Sequence, residues 1–88
     1  MEIIMIPDRM VFSQKVCYTP LVFERVNKKL KTDFSIAEIK SIVQNIINDS
    51  TTKITKTGKN YYLLNKQVEL VINSYNYRLI TANKKKIS

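Results

Sequence analysis

Apolar residues recur along this chain in two rhythms, and the change between them falls near residue 52. Upstream, Val22, Phe23, Val26 and Leu30 share one face of a helical repeat, with Glu24, Arg25, Lys28 and Lys29 off it. Thr19 and Pro20 mark the start. Threonine can cap a helix, and proline at the first helical position lacks only an amide hydrogen that the helix does not use. The spacing predicts a helix over residues 20–31, broken by Thr32-Asp33. A second helix is predicted over 35–48. Ser35 and Glu38 have the spacing of a capping box, each side chain satisfying the other's free amide. Ile36, Ile39, Val43 and Ile46 follow at helical intervals, with Ile42 and Ile47 widening the stripe. The polar run Asn48 to Thr52 ends it.

From Lys53 onward β-branched and aromatic residues come in short runs, the pattern of strands. Ile54 to Thr57 predicts a first strand, with Thr57-Gly58-Lys59 as a turn using the one glycine. Tyr61 to Leu64 predicts a second and Asn65-Lys66-Gln67 a turn. Val68 to Asn73 predicts a third, with Val68, Leu70 and Ile72 on one face and Glu69, Val71 and Asn73 on the other. Ser74-Tyr75-Asn76 turns the chain into a last strand over Tyr77 to Ala82, followed by the basic stretch Asn83 to Lys86. The fold class expected is α+β, two N-terminal helices packed on a three- or four-stranded antiparallel sheet. Residues 1–16 read as an N-terminal arm or short strand, with Ile3 to Ile6 a candidate strand and Met10-Val11-Phe12 a second apolar patch. Residues 17–84 read as the domain, and 85–88 as a basic tail.

At 88 residues the chain has room for one core. Its formal net charge is +8. Lysine, isoleucine and asparagine, all with A/T-rich codons, number 12, 12 and 8, so base composition explains part of the lysine content. The distribution is more informative. Residues 1–52 hold seven basic and six acidic side chains, whereas residues 53–88 hold eight basic and one acidic, Glu69. A one-sided basic field is what a phosphate backbone requires. A merely solvated basic surface is the competing explanation.

The absence of histidine excludes Ser-His and Cys-His nucleophile pairs, a histidine base and imidazole zinc sites. The single cysteine, Cys17, excludes an internal disulfide and thiolate clusters, and reads as a small buried hydrophobe. One glycine cannot build a phosphate-cradling loop. No cofactor and no metal are expected. The opening apolar run is too short for a secretory signal, and no run is long enough to span a membrane. A cytoplasmic location is expected.

The segment Gly58-Lys59-Asn60-Tyr61-Tyr62 with Ile72-Asn73-Ser74 resembles a family of small uncharacterised bacterial proteins sharing a Gly-Lys-Asn-Tyr-Tyr turn and an Ile-Asn-Ser hairpin. That resemblance covers residues 17–84. More distantly, two helices, a strand meander and a last strand ending Ile80-Thr81-Ala82 resemble the barnase–EndoU–colicin–RelE superfamily of ribonuclease toxins. The second resemblance implies RNA held on the sheet, at a basic rather than histidine-based site.

Metal-free RNA cleavage needs the 2′-hydroxyl deprotonated, the phosphorane charge stabilised and the leaving oxygen protonated. Without histidine, lysine, tyrosine and arginine are the groups left for these roles. Lys59, Arg78 and Tyr62 are the candidate catalytic set: Arg78 to hold the scissile phosphate, Lys59 to stabilise charge or move a proton, Tyr62 to stack on a base or donate. Lys56, Thr81, Asn83, Lys84 and Lys85 are the candidate nucleic-acid contacts. Each has a plainer alternative. Lys59 fits a solvated hairpin tip, Thr81 a strand filler, and the lysine run a nonspecific polyanion attractor. One of Tyr61 and Tyr62 faces the core, because successive residues alternate. Alternation leaves the face of Arg78 open, since Leu79 and Ile80 are both apolar.

Three functions are expected in this order. The first is a small basic RNA-acting protein, a metal-independent ribonuclease of toxin type whose partners are RNA or another single-stranded nucleic acid and an acidic protein, an antitoxin or a target complex. The second is a noncatalytic phage- or plasmid-encoded binder that inhibits a host defence complex or binds its RNA. The third is an oligomerising module, with a second copy of the chain as partner.

Overall fold

The computed structural model describes residues 6–85. Three helices precede a four-stranded antiparallel sheet in an α+β fold: α1 (Arg9–Lys15), α2 (Pro20–Leu30), α3 (Ile36–Asn48), then β1 (Lys53–Thr57), β2 (Asn60–Asn65), β3 (Val68–Asn73) and β4 (Leu79–Lys84). The strands form a meander in the order β1-β2-β3-β4. Of the candidate strand at Ile3 to Ile6, all but Ile6 lies outside the described residues, as does Lys86.

The α1 helix is the element that periodicity missed. At seven residues it is too short to show a helical repeat. Asp8 caps it, with Oδ1 accepting from the Met10 amide at 3.1 Å. Its Phe12 is fully buried, edge-on to Tyr61 at 4.9 Å and to Tyr77 at 5.7 Å between ring centroids. Arg9 donates to the carbonyls of Ser50 and Thr52, both at 3.1 Å, which ties α1 to the α3–β1 connection. Ser13 and Gln44 exchange two hydrogen bonds between α1 and α3.

The α2 helix buries Val22, Val26 and Leu30, and ends where Lys31 turns left-handed at φ 57. Thr19 occupies its cap position but makes no side-chain cap bond; Pro20 alone fulfils the expected start signal. The capping box of α3 forms on both sides, Glu38 N–H to Ser35 Oγ at 3.1 Å and Ser35 N–H to Glu38 Oε1 at 3.0 Å. The Ser35 backbone amide, and after it the Ser35 hydroxyl, hold the Glu38 carboxyl below the usual carboxylate range. Ile39, Val43, Ile46 and Ile47 are the residues of the predicted stripe that reach the core, whereas Ile36 stays exposed.

Residues paired directly across antiparallel strands share a face. Ile54, Leu63, Leu70 and Ala82 form one such row, and Lys56, Tyr61, Ile72 and Leu79 another. Six of these eight, Tyr61, Leu63, Leu70, Ile72, Leu79 and Ala82, belong to the buried core with the helices, so this is the helix-covered face.

The other face carries the row Thr55, Tyr62, Val71, Thr81 and the row Lys53, Leu64, Glu69, Asn83. None of these residues belongs to the core cluster. Val71 is buried outside that cluster, between its cross-strand neighbours Tyr62 and Thr81. The register shifts beside Val71 and Ile72, leaving Ile80 as an extra residue on β4. A bulge reverses alternation locally. That is why Leu79 and Ala82 both face the helices across an odd interval, and why alternation did not orient this strand. Tyr77, expected to open the strand, instead sits in the turn at φ 56.

Candidate nucleic-acid interface

Two hairpin tips meet at one end of the sheet. Thr57, Gly58, Lys59 and Asn60 join β1 to β2, with Gly58 at φ 61. Asn73 to Arg78 joins β3 to β4. The Ser74 amide donates to the Lys59 carbonyl at 2.8 Å, locking the two tips side by side.

The second tip is built by asparagine. Asn73 Oδ1 accepts from the amides of Tyr75 at 2.8 Å and Asn76 at 3.3 Å. Asn76 Oδ1 in turn accepts from the Arg78 amide at 3.0 Å. Short amide side chains can satisfy turn backbone in this way, which suits them to such positions. The Asn73 amide closes the turn on the Arg78 carbonyl at 2.9 Å.

A further strand-like contact holds Arg78 from outside the sheet. Cys17 pairs with it in a parallel bridge: the Cys17 amide donates to Tyr77 O at 3.0 Å and the Leu79 amide to Cys17 O at 2.9 Å. Cys17 is therefore an exposed edge residue, with Sγ donating to Asn76 O at 3.4 Å, and not the buried hydrophobe its sequence context suggested. Backbone pairing, to which the side chain is incidental, sets its position.

The fold brings some of the sequence-predicted residues together and separates others. Lys59 and Arg78 share the turn end, both exposed. With Asn60 opposite Asn73 and Asn73 bonded to Arg78, two strand spacings, about 10 Å, separate the two backbones there. Arg78 forms no ion pair among the described residues. Tyr62 and Thr81 lie in the middle of the uncovered face, flanking Val71. Tyr62 is half-buried, and Thr81 Oγ1 is buried without a hydrogen-bond partner among the described residues.

Asn83, Lys84 and Lys85 lie at the opposite end, about 20 Å along β4 from Arg78. Lys85 pairs with Glu69 there at 3.4 Å. Lys56 is exposed on edge strand β1, opposite Tyr61 and thus on the helix side. Tyr61 is the core member of the tyrosine pair; burial, with the adjacent Tyr77 phenol second, pushes its hydroxyl above the ordinary tyrosine range.

Two grooves flank the Cys17–Pro20 segment. One, of about 270 Å³, runs between the first turn of α2 and the start of β4, lined by Thr19, Val22, Arg25, Arg78, Leu79 and Ile80 among others. Arg25 Nη1 reaches the Ile80 carbonyl at 3.5 Å across it. Sequence reasoning assigned Arg25 only to the polar side of α2. Nothing local signals its proximity to β4, which lies 55 residues downstream at Ile80. The other groove holds Tyr18 stacked on Phe23 at 5.5 Å, with Lys40 Nζ 5.5 Å from the Tyr18 ring. Burial, and secondarily Cys17, raises the Tyr18 hydroxyl.

Among the described residues no group of three or more His, Cys, Asp or Glu side chains could hold a metal ion, and no helix is long and apolar enough to cross a membrane.

A family model described as "Protein of unknown function (DUF3781)" matches residues 10–83, most of the chain, and the protein belongs to that family. No curated protein and no solved structure matches it.

Proposed function

We propose that this family member acts on RNA, binding a single strand across the uncovered face of the sheet and gripping phosphate at the Lys59–Arg78 end. The observation that carries the reading is the Ser74–Lys59 hydrogen bond, which holds two cationic hairpin tips together beside a face bearing Tyr62. Fixed cations attract the phosphate backbone and gain from counterion release. An aromatic ring on an open sheet face offers a stacking platform for an unpaired base. Arg78 grips phosphate through two parallel hydrogen bonds, Lys59 adds a point charge, and Tyr62 stacks or donates. Thr81 lines the floor beside Val71. At the far end Lys85 is paired with Glu69, and Lys84, opposite Val68, adds charge at the rim of the sheet.

The finer form of this proposal is metal-independent cleavage of toxin type, consistent with the distant resemblance to the barnase–EndoU–colicin–RelE superfamily. In that form Arg78 holds the scissile phosphate and Lys59 stabilises the developing charge. Binding without cleavage is the second reading. It is favoured by one observation: among the described residues, no hydrogen bond orients the side chains of Lys59, Arg78 or Tyr62 as a proton-transferring group would require.

The test is RNA binding and cleavage by the purified protein and by Arg78→Ala and Lys59→Ala, each checked for folding by circular dichroism. Loss of a charge-stabilising donor typically costs roughly 3–4 kcal/mol in a catalytic site, near a thousandfold in rate. Wild-type binding with no cleavage of naked or ribosomal RNA selects the second reading. No binding by the wild type at low salt overturns both.

A further inference from the structure

We infer that Arg25 and Arg78 together form a two-guanidinium clamp for a phosphate group, in the groove between the first turn of α2 and the start of β4. This deepens the RNA reading and rests on it for the identity of the natural ligand; the anion chemistry of the groove stands on its own residues.

The two arginines come from elements far apart in sequence, and both line the groove. Among the described residues no carboxylate lines this groove or pairs with either arginine, and the ion pair they form is Lys85 with Glu69. Two like charges facing one cleft repel each other, and an anion between them relieves that repulsion. Guanidinium forks match phosphate oxygens two at a time.

The Arg78 backbone and the Arg25 guanidinium are each held in position. The Arg78 backbone is fixed by Asn76, by Asn73 and by the flanking Cys17 pairing. The Arg25 guanidinium is steered toward the edge of β4 by the Ile80 carbonyl at 3.5 Å. Val22 and Leu79, both nearly fully buried, supply an apolar wall that strengthens electrostatics inside the groove. At about 270 Å³ the space takes a phosphate group with several waters, each water occupying about 30 Å³ in the liquid. The Thr19 hydroxyl, which also lines the groove, makes no side-chain cap hydrogen bond.

The first experiment titrates inorganic phosphate into isotopically labelled full-length protein, following the arginine Nε–H signals by NMR with chloride at matched ionic strength as control. Both Arg25 and Arg78 signals should move together and saturate. Arg25→Gln should weaken the Arg78 response roughly ten- to hundredfold, the usual worth of a charged hydrogen bond. Arg25→Lys should weaken it too, because the charge remains but the fork does not. Lys29→Gln, on α2 outside this groove, should leave it unchanged.

The second experiment measures short single-stranded RNA carrying a 5′-phosphate against the same RNA with a 5′-hydroxyl. Tighter binding of the phosphorylated strand, abolished by Arg25→Gln, assigns the clamp to a terminal phosphate. Equal binding, weakened for both strands by Arg25→Gln, assigns it to a backbone phosphate. Independent or non-saturating signals in the phosphate titration overturn the clamp. So does an Arg25→Gln protein, folded by circular dichroism, that binds RNA as Lys29→Gln does; in that case the RNA reading survives. Phosphate capture by both arginines without any RNA binding leaves the clamp and removes the RNA reading.

Discussion

The Ser74 amide donates to the Lys59 carbonyl at 2.8 Å, so the tip of the β1–β2 hairpin is joined to the tip of the β3–β4 turn. That bond converts two separately exposed cations, Lys59 and Arg78, into a paired feature of one sheet end. The geometry at this end depends on turn backbone more than on side-chain packing.

Asn73→Ala tests that dependence without changing charge. Removing Oδ1 leaves the Tyr75 and Asn76 amides without their acceptor. We expect a loss of about 1 kcal/mol in urea unfolding and a several-fold loss of RNA affinity. Affinity equal to wild type would show that the turn does not position Arg78 for binding.

Salt dependence locates the contacts. The logarithm of RNA affinity should fall against the logarithm of salt with a slope of roughly −0.7 for each phosphate engaged. Arg78→Ala and Lys59→Ala should each reduce the slope by about one contact. Lys66→Ala, at the β2–β3 turn on the opposite end, should change it least. Equal effects of all three would mean a diffuse field with no site at the turn end.

Phe12→Ala should be among the most damaging substitutions in the chain. Its ring is fully buried against Tyr61 and Tyr77, and truncating such a residue costs about 3–5 kcal/mol. For a domain whose whole stability is roughly 5–15 kcal/mol, the transition midpoint in urea should drop steeply. A shift of a few tenths of a kcal/mol would mean that α1 is dispensable.

Asp49 should make stability fall in acid. The Thr51 amide and hydroxyl and the Asn65 amide group donate to its carboxylate and lower its pKa to about 2. A carboxyl depressed on folding contributes stability that is full above its unfolded pKa, near 3.8, and is lost as pH falls toward about 2. Asp49→Asn should flatten the stability profile across that window. An unchanged profile would assign the acid sensitivity elsewhere.

Gly58→Ala should cost about 1–2 kcal/mol, because φ 61 is strained for a residue with a Cβ even though the added carbon meets nothing within 4 Å. Gly58→Asn should cost less, since asparagine tolerates this conformation. Equal thermal midpoints for the two variants would contradict a backbone origin.

What the sequence determined by itself was the identity of elements whose burial repeats locally. Val22, Val26 and Leu30 recur at helical spacing, and the helix runs Pro20–Leu30 within the expected 20–31. Ser35 and Glu38 specify a helix start through contacts three residues apart. Val68, Leu70 and Ile72 recur at every second position, and the strand has the expected bounds Val68–Asn73. Tertiary structure decided everything that depends on distant partners. Met10-Val11-Phe12 becomes helix because Phe12 finds Tyr61 and Tyr77, and seven residues hold too little periodicity to announce it. The face of β4 turns on a bulge at Ile80, where an inserted residue reverses the alternation from which a face is read. Arg25 reaches the Ile80 carbonyl only because α2 packs over β4, and Cys17 is carried to the edge by its pairing with Arg78. A pattern of hydrophobicity records which side of an element is buried; it holds no term for which other element does the burying, and that second fact creates the groove and sets the ends of the sheet.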